Sequence, residues 1–335
     1  MDLQTQIRLT CELVDIDSTT GQEGDAGRFL VDLLKSLGYQ VEEQPVADGR
    51  FNVYARLGDP AVVLSTHYDC VPPFFASRVE NGRVYGRGAC DAKGIAIAQL
   101  AALERLRAAG RRDVALLFLV GEERGSDGAR LANTRPPGSR FLINGEPTGN
   151  RLARATRGLY RARLHATGRA AHTSQPELGE SAIEKLVDVI VALRGVEWPS
   201  DPDLGTTTYT VGMIDGGVAP NVVPAAAVAE VLFRTVGDPA VIREQLARVA
   251  APLAAVEDVF QVPVIRLKTL EGYPSDVFNF TTDVPFLDRW GTPLLVGPGS
   301  ITVAHTADEH VEIADLEQAV ELYADLAARL AGEPV

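Results

Sequence analysis

Apolar residues along this chain gather first into short unbroken runs: Ala61-Val62-Val63-Leu64-Ser65, Val114-Ala115-Leu116-Leu117-Phe118-Leu119-Val120 and Phe141-Leu142-Ile143-Asn144. Runs of this kind, bounded by turn residues, read as strands buried on both faces of a parallel sheet. Helical patterns separate them. They predict helices over about Leu3–Asp15, Glu23–Leu37, Ile95–Ala109 and Gly128–Asn133, with the third stopping at Gly110. Further strands are predicted at Gln40–Gln44 and Phe51–Arg56. Strands alternating with helices imply an open, mostly parallel α/β sheet.

After about residue 155 the pattern changes. Leu159–Thr167 alternates as a half-buried strand, and Ser181–Leu193 reads as a helix. Strands are then predicted at Thr206–Ile214 and Ala225–Thr235, a helix at Pro239–Val256 and a strand at Val262–Leu267. That βαββαβ order makes a complete small ferredoxin-like unit. From about residue 270 the α/β character resumes, with a strand near Pro293–Val296 and a last helix over Ile313–Leu330. The predicted architecture is an α/β domain of residues 1–155 and 268–335, interrupted by an α+β domain of residues 156–267.

Composition narrows the possibilities. The 335 residues are 46% hydrophobic and 23% charged, as in a globular protein with an ample core. A net charge of −13 argues against a nucleic-acid surface, which needs a basic stripe. No apolar run approaches the length of a membrane span, and Met1-Asp2-Leu3-Gln4 lacks the basic opening of a secretion signal. The scattered Cys11, Cys70 and Cys90 form no CxxC motif, so three free thiols in a reducing cytoplasm are expected.

Charged and polar residues then cluster where the apolar runs stop. The first run leads into His67-Tyr68-Asp69, the second into Gly121-Glu122-Glu123, and the third into Gly145-Glu146-Pro147-Thr148. The late strand leads through Gly297-Pro298-Gly299 to His305. Asp91 stands just before the long helix. In open α/β sheets, ligands bind outside the carboxyl ends of the strands, so these residues can converge there. Paired carboxylates at a strand's mouth repel one another and lose hydration, so a cation should sit beside them. Taken singly, each residue has a plainer reading: Asp91 as a helix N-cap, His67-x-Asp69 as a surface pair, Glu122-Glu123 as the start of a solvated loop. Five such events at one edge favour a metal site.

These residues match a family. His67-Tyr68-Asp69 with Pro72, Gly86-Arg87-Gly88 with Asp91 and Lys93-Gly94, Gly121-Glu122-Glu123, and Glu146-Pro147-Thr148 resemble the catalytic motifs of the M20 metallopeptidases. Gly168 with Ala171-His172-Thr173 and Pro176, Gly216-Gly217 with Asn221 and Pro224, and Phe233-Arg234 continue the match. It closes with Gly297-Pro298-Gly299 and Ala304-His305-Thr306-Ala307-Asp308-Glu309. The resemblance covers nearly the whole chain, and the C-terminal stretch looks closest to acetylornithine and acetylcitrulline deacetylases. Cys70 stands where the family usually has an aliphatic residue.

The resemblance implies a catalytic domain with an inserted lid or dimerisation domain, and a site for two zinc ions, with cobalt or manganese also compatible with such ligands. His67 and Glu146 would hold one ion and Glu123 and His305 the other, with Asp91 bridging. Asp69 would fix the tautomer of His67, and Glu122 would be the general base. With three of the carboxylates as ligands, the two ions keep a small net positive charge, which suits a bridging hydroxide and an anionic substrate. His172 would stabilise the oxyanion, commonly from a neighbouring subunit, although an exposed loop histidine is the plainer reading. Arg234 and Asn221 would bind a substrate carboxylate, with backbone N–H groups of Gly297 and Gly299 as further donors. A surface charge and an ordinary turn are the plainer readings of Arg234 and of the glycine loop.

The leading expectation is hydrolysis of an N-acyl amino acid amide by a cytoplasmic homodimer. The alternative keeps the chemistry but takes a dipeptide or other short peptide, a succinylated amino acid, or lysine or ornithine carried on a protein. A non-catalytic binding protein of the same fold would be expected to lack ligands, and all are present. The chain has no Gly-x-Ser-x-Gly of a serine hydrolase and no phosphate-binding Gly-x4-Gly-Lys-Ser/Thr. Gly86-x-Gly88 lacks the third glycine of a dinucleotide fold.

Overall fold

A computed structural model describes residues 1–332. The apolar runs become the middle of a six-stranded sheet. Its order is Gln40–Ala47, Arg50–Arg56, Val114–Leu119, Val62–His67, Phe141–Asn144 and Thr292–Leu295. The last four strands run parallel, Arg50–Arg56 pairs antiparallel with Val114–Leu119, and Gln40–Ala47 pairs antiparallel with Arg50–Arg56. Every residue of Val62–His67, Val114–Leu119 and Phe141–Asn144 is buried. Alternate side chains feed two cores. Val62, Leu64, Leu116 and Phe118 join one, packed with the helices Leu3–Val14, Gly24–Ser36, Lys93–Ala108 and Ile313–Gly332. Val63, Ala115, Leu117 and Leu142 join the other, with Trp290 and Ala132. Burial of both faces explains why these strands carry no polar alternation.

A small three-stranded sheet, unmarked by the sequence pattern, belongs to the same unit. In it His310–Glu312 pairs antiparallel with Arg83–Tyr85, which also pairs with Arg78–Glu80. These strands are three residues long, too short to leave a periodic signal.

The chain divides into two compact units, Met1–Arg154 with Leu267–Asp276 and Thr282–Val335, and Ala155–Arg266 with Val277–Thr281. Residues 277–281 were expected with the first unit. They associate instead with the second, where Arg157 donates its N–H to Phe278 O at 3.0 Å.

The second unit is a four-stranded antiparallel sheet ordered Thr208–Gly216, Ala226–Thr235, Gly158–Thr167, Ala254–Val262. The helices Ala182–Leu193 and Pro239–Ala250 pack against it. This is the expected ferredoxin-like order with two boundaries moved. The helix expected to reach Val256 ends at Ala250, because Pro252 has no N–H to continue it. The fourth strand is therefore Ala254–Val262 rather than Val262–Leu267, and it pairs with Gly158–Thr167 from Ala254↔Ala166 to Val262↔Leu159. Ile265–Arg266 instead pairs with Ala155–Thr156.

Among the described residues no helix is long and apolar enough to cross a membrane. All three cysteines are free thiols, two of them buried.

Candidate metal centre

The carboxyl ends of the buried parallel strands deliver the expected residues to one place. His67 ends its strand, and its Nδ1 lies 3.0 Å from the carbonyl oxygen of Asp69 and 3.4 Å from Asp69 Oδ1. The ring therefore donates chiefly to the backbone carbonyl of Asp69, the residue expected to fix its tautomer, and the carboxylate of the same residue lies farther off. Either contact leaves Nε2 free to act as a ligand. Nε2 faces Asp91 Oδ1 at 3.0 Å. The other oxygen of Asp91, Oδ2, lies 3.3 Å from His305 Nε2, and that nitrogen is 2.9 Å from Glu123 Oε1. One ligand atom from each of His67, Asp91 and Glu123 falls within 4.8 Å of the others.

Asp69 does its main work elsewhere. Its Oδ1 accepts the Glu122 N–H at 3.1 Å, and Oδ2 accepts the Glu123 N–H at 3.3 Å and the Thr20 hydroxyl at 2.8 Å. The two glutamates occupy a single 3-10 turn, Glu122–Arg124, entered through Gly121 at φ +76° and left through Gly125 at φ +101°. A side chain is strained at both angles, so glycine permits the tight turn. Arg124 is exposed, so the pair does not draw on it for its counter-charge.

Electrostatics identify a cation site. Burial pushes the Glu122 carboxyl well above the ordinary carboxylate range, and the nearby Glu146 adds to the effect. Burial likewise raises Glu146, whose Oε1 has no hydrogen-bond partner. Hydrogen bonds to Asp91 and Glu123 raise His305 to about 10. Burial works against the charged form of Asp91, yet its bonds to His305 and His67 hold the carboxyl below its usual value. These imidazoles and carboxylates share protons among themselves, and a divalent cation would satisfy them all at once. The donor set of histidine nitrogen and carboxylate oxygen, without sulfur, suits zinc, cobalt or manganese. The residues present fit a metal.

The other expected site residues have different settings. In the second unit His172 is exposed, and its Nδ1 accepts the Ser174 N–H at 3.1 Å. That contact places the proton of the neutral ring on Nε2. Asn221 is exposed, and its carbonyl accepts the Thr173 N–H at 3.2 Å. Arg234 is half-buried, its Nη1 has no hydrogen-bond partner, and desolvation alone lowers its pKa. In the first unit the Gly297 N–H is already committed, donating to Thr148 Oγ1 at 3.0 Å. A Cβ on Gly297 would lie 2.5 Å from the carbonyl oxygen of Glu146. This glycine serves close packing against the segment that carries Glu146, and its N–H is not spare for a substrate.

Two neighbours of the site escaped the sequence. Thr20 follows a Ser/Thr loop with no chemical signature. Asp283 is fully buried with neither carboxylate oxygen in a well-formed hydrogen bond, and it lies close enough to Glu122 and Glu146 to raise both. Burial raises Asp283 itself to about 7, which the Ser126 hydroxyl offsets only in part. In the sequence, Thr282-Asp283-Val284-Pro285 resembles any turn leading into a proline.

Comparison with known proteins agrees with this geometry. Residues 63–329 match the family described as Peptidase family M20/M25/M40. The chain is 36% identical over 340 residues to a peptidase M20 domain-containing protein of Schizosaccharomyces pombe, covering 95% of this chain and 82% of that one. It is 35% identical to a probable carboxypeptidase of Aspergillus clavatus, covering 93% and 85%. A tripeptidase structure from Staphylococcus aureus superposes with a TM-score of 0.85 at 22% identity, covering 99% of this chain and 100% of that one. A metallo-carboxypeptidase from Sulfolobus solfataricus gives 0.80 at 18% identity, covering 99% and 100%. The fold is thus the two-domain α/β architecture of these enzymes, and the chain is a metal-dependent hydrolase belonging to peptidase family M20/M25/M40.

Proposed function

We propose that this enzyme hydrolyses the amide bond of short peptides that carry a free carboxylate, using a pair of divalent ions. The observation that carries the reading is the posture of Asp91, whose two oxygens face two different histidines, His67 and His305. A carboxylate so placed suits a bridge between two ions. His67 and Glu146 would hold one ion, Glu123 and His305 the other. When bound, the ions supply Lewis acidity, polarising the scissile carbonyl and lowering the pKa of the attacking water.

The chain's own residues supply the proton traffic. Glu122 takes a proton from the water as its oxygen bonds to the amide carbon. The same carboxyl returns that proton to the nitrogen as the carbon–nitrogen bond breaks, giving an amine and a carboxylic acid, whose own proton passes on to leave a carboxylate and an ammonium. His172, with its proton on Nε2, is the donor proposed for the oxyanion. Arg234, whose guanidinium has no ion pair among the described residues, is proposed to take the substrate carboxylate.

Peptides are placed ahead of the N-acyl amino acids expected from the sequence because the relatives above carry carboxypeptidase and tripeptidase names. An acetylated ornithine or citrulline shares the carboxylate and the amide, and stays as the second reading. A homodimer joined through the inserted unit is also proposed. Met213, Ile214 and Val218, exposed on or just beyond the edge strand Thr208–Gly216, support it. The test is turnover of the metal-loaded enzyme on tripeptides, dipeptides and N-acetyl amino acids in parallel. Peptide cleavage is expected to dominate, and turnover confined to N-acetyl amino acids would reverse the order.

A further inference from the structure

Glu309 is completely buried and none of the roles above uses it. Its Oε1 accepts the backbone N–H groups of Gly88 at 2.8 Å, Asp91 at 3.2 Å and Cys90 at 3.3 Å. Its Oε2 accepts from Arg87 Nη1, and its own carbonyl accepts the Gly86 N–H at 3.1 Å. One residue thus collects five donors from the six-residue segment that ends in Asp91.

The local fold explains how this comes about. Strand His310–Glu312 begins directly after Glu309, and strand Arg83–Tyr85 stops directly before Gly86. The two strands pair with His310 opposite Tyr85, so the ladder carries both segments to one place. His305 lies only four residues before Glu309, in the left-handed conformation at φ +63°. The same short loop therefore presents a metal ligand at one end and grips the backbone of the bridging ligand at the other. Arg87 is fixed in turn, with Nε donating to Pro73 O at 3.2 Å and its guanidinium 5.1 Å from the centre of the Phe75 ring.

The chemistry requires a carboxylate. Four of the five donors converge on the two side-chain oxygens, and a carboxylate accepts at both. An amide has one acceptor oxygen, and its NH2 would face either the guanidinium or the three backbone N–H groups. Buried donors left without an acceptor cost free energy. The segment would then shift, and Asp91 with it.

We propose that Glu309 is a positioning residue that holds the backbone of Asp91 so that both its oxygens reach a metal position, coupling the two sites. The proposal rests on the two-ion reading above. Outer partners of metal ligands typically govern affinity by roughly 10–100-fold. Each ion keeps its own histidine and glutamate, so the first can still bind with Asp91 turned to it alone, and the second, left without the shared ligand, is weakened more.

The test is titration of the metal-stripped full chain with Co2+, followed by visible absorption and by electron paramagnetic resonance for spin coupling between the ions. The wild-type chain is expected to take up two coupled ions. Glu309→Gln is expected to bind the first as wild type does, and the second on the order of 10–100-fold more weakly without the coupled signal. Glu309→Asp keeps the charge beside Arg87 but shortens the reach, and an intermediate weakening of the second ion is expected. This variant carries the test if the glutamine variant does not fold. Two coupled ions at wild-type affinity in both variants would overturn the proposal. So would equal weakening of both ions together with loss of cooperative thermal unfolding, which would make Glu309 a residue of the fold alone. A wild-type chain that takes up a single ion would remove the two-ion reading and the proposal together.

Discussion

Asp69 and Glu122 are joined by a hydrogen bond from the Glu122 N–H to Asp69 Oδ1 at 3.1 Å. The Glu123 N–H reaches the other oxygen of the same carboxylate at 3.3 Å. Asp69 thus places the backbone of both the proposed base and the glutamate proposed to hold metal, while its own carbonyl orients His67. Asp69→Asn keeps one acceptor oxygen and loses the other. The expected result is a kcat lower by roughly 10–100-fold, with the protein still folded. Circular dichroism alongside steady-state kinetics checks it, and unchanged kcat would remove the positioning role.

Arg234 has a guanidinium nitrogen without a partner, and burial alone shifts its pKa. A charge kept desolvated for a ligand destabilises the free protein and strengthens binding. Arg234→Ala is therefore expected to raise KM on the order of 10–100-fold for peptides with a free carboxylate. Its thermal midpoint is expected to be equal to or above that of the wild type. Peptides amidated at the C-terminus are expected to show no such difference between the two enzymes. Equal losses on both kinds of peptide would assign Arg234 another role.

Asp283 gives a pH signature. Its folded pKa of about 7 lies above the ordinary value of 3.8. A raised carboxyl favours the folded state below pH 4, and that contribution is lost as the pH rises through 7. In the metal-free protein, Asp283→Asn is expected to raise the thermal midpoint at pH 8 and to leave it unchanged near pH 4. Thermal melts of both proteins across that range check the sign. A variant less stable than wild type at pH 8 would contradict the account.

Much of the site was legible because its residues stand at the ends of unmistakable strands. A run such as Val114–Val120 has one place to go in an α/β fold, and Glu122 and Glu123 follow it there. Glu309 was visible as part of a motif, but its role depends on the pairing of two three-residue strands distant in sequence. Asp283 was invisible because nothing local distinguishes a buried carboxylate from a turn residue. The fourth strand of the second unit was misplaced for a related reason. The predicted helix runs on to Val256 and leaves Glu257 and Asp258 between elements, yet in the sheet Glu257 lies opposite Arg163 and forms an ion pair with it at 3.2 Å. Asp258 accepts a hydrogen bond from Tyr160 at 2.5 Å. Partners across strands made these charges compatible with a sheet, and they are not neighbours in sequence.

The central claim is that the adjacent glutamates divide their labour, with Glu123 holding metal and Glu122 moving the proton. Metal content and peptide turnover of Glu122→Gln, measured on one preparation, test it most directly. The account predicts the wild-type metal complement with kcat reduced by about 10²–10⁴-fold, the usual contribution of a general base. A variant that keeps more than a small fraction of its turnover, or that loses its metal, would contradict it.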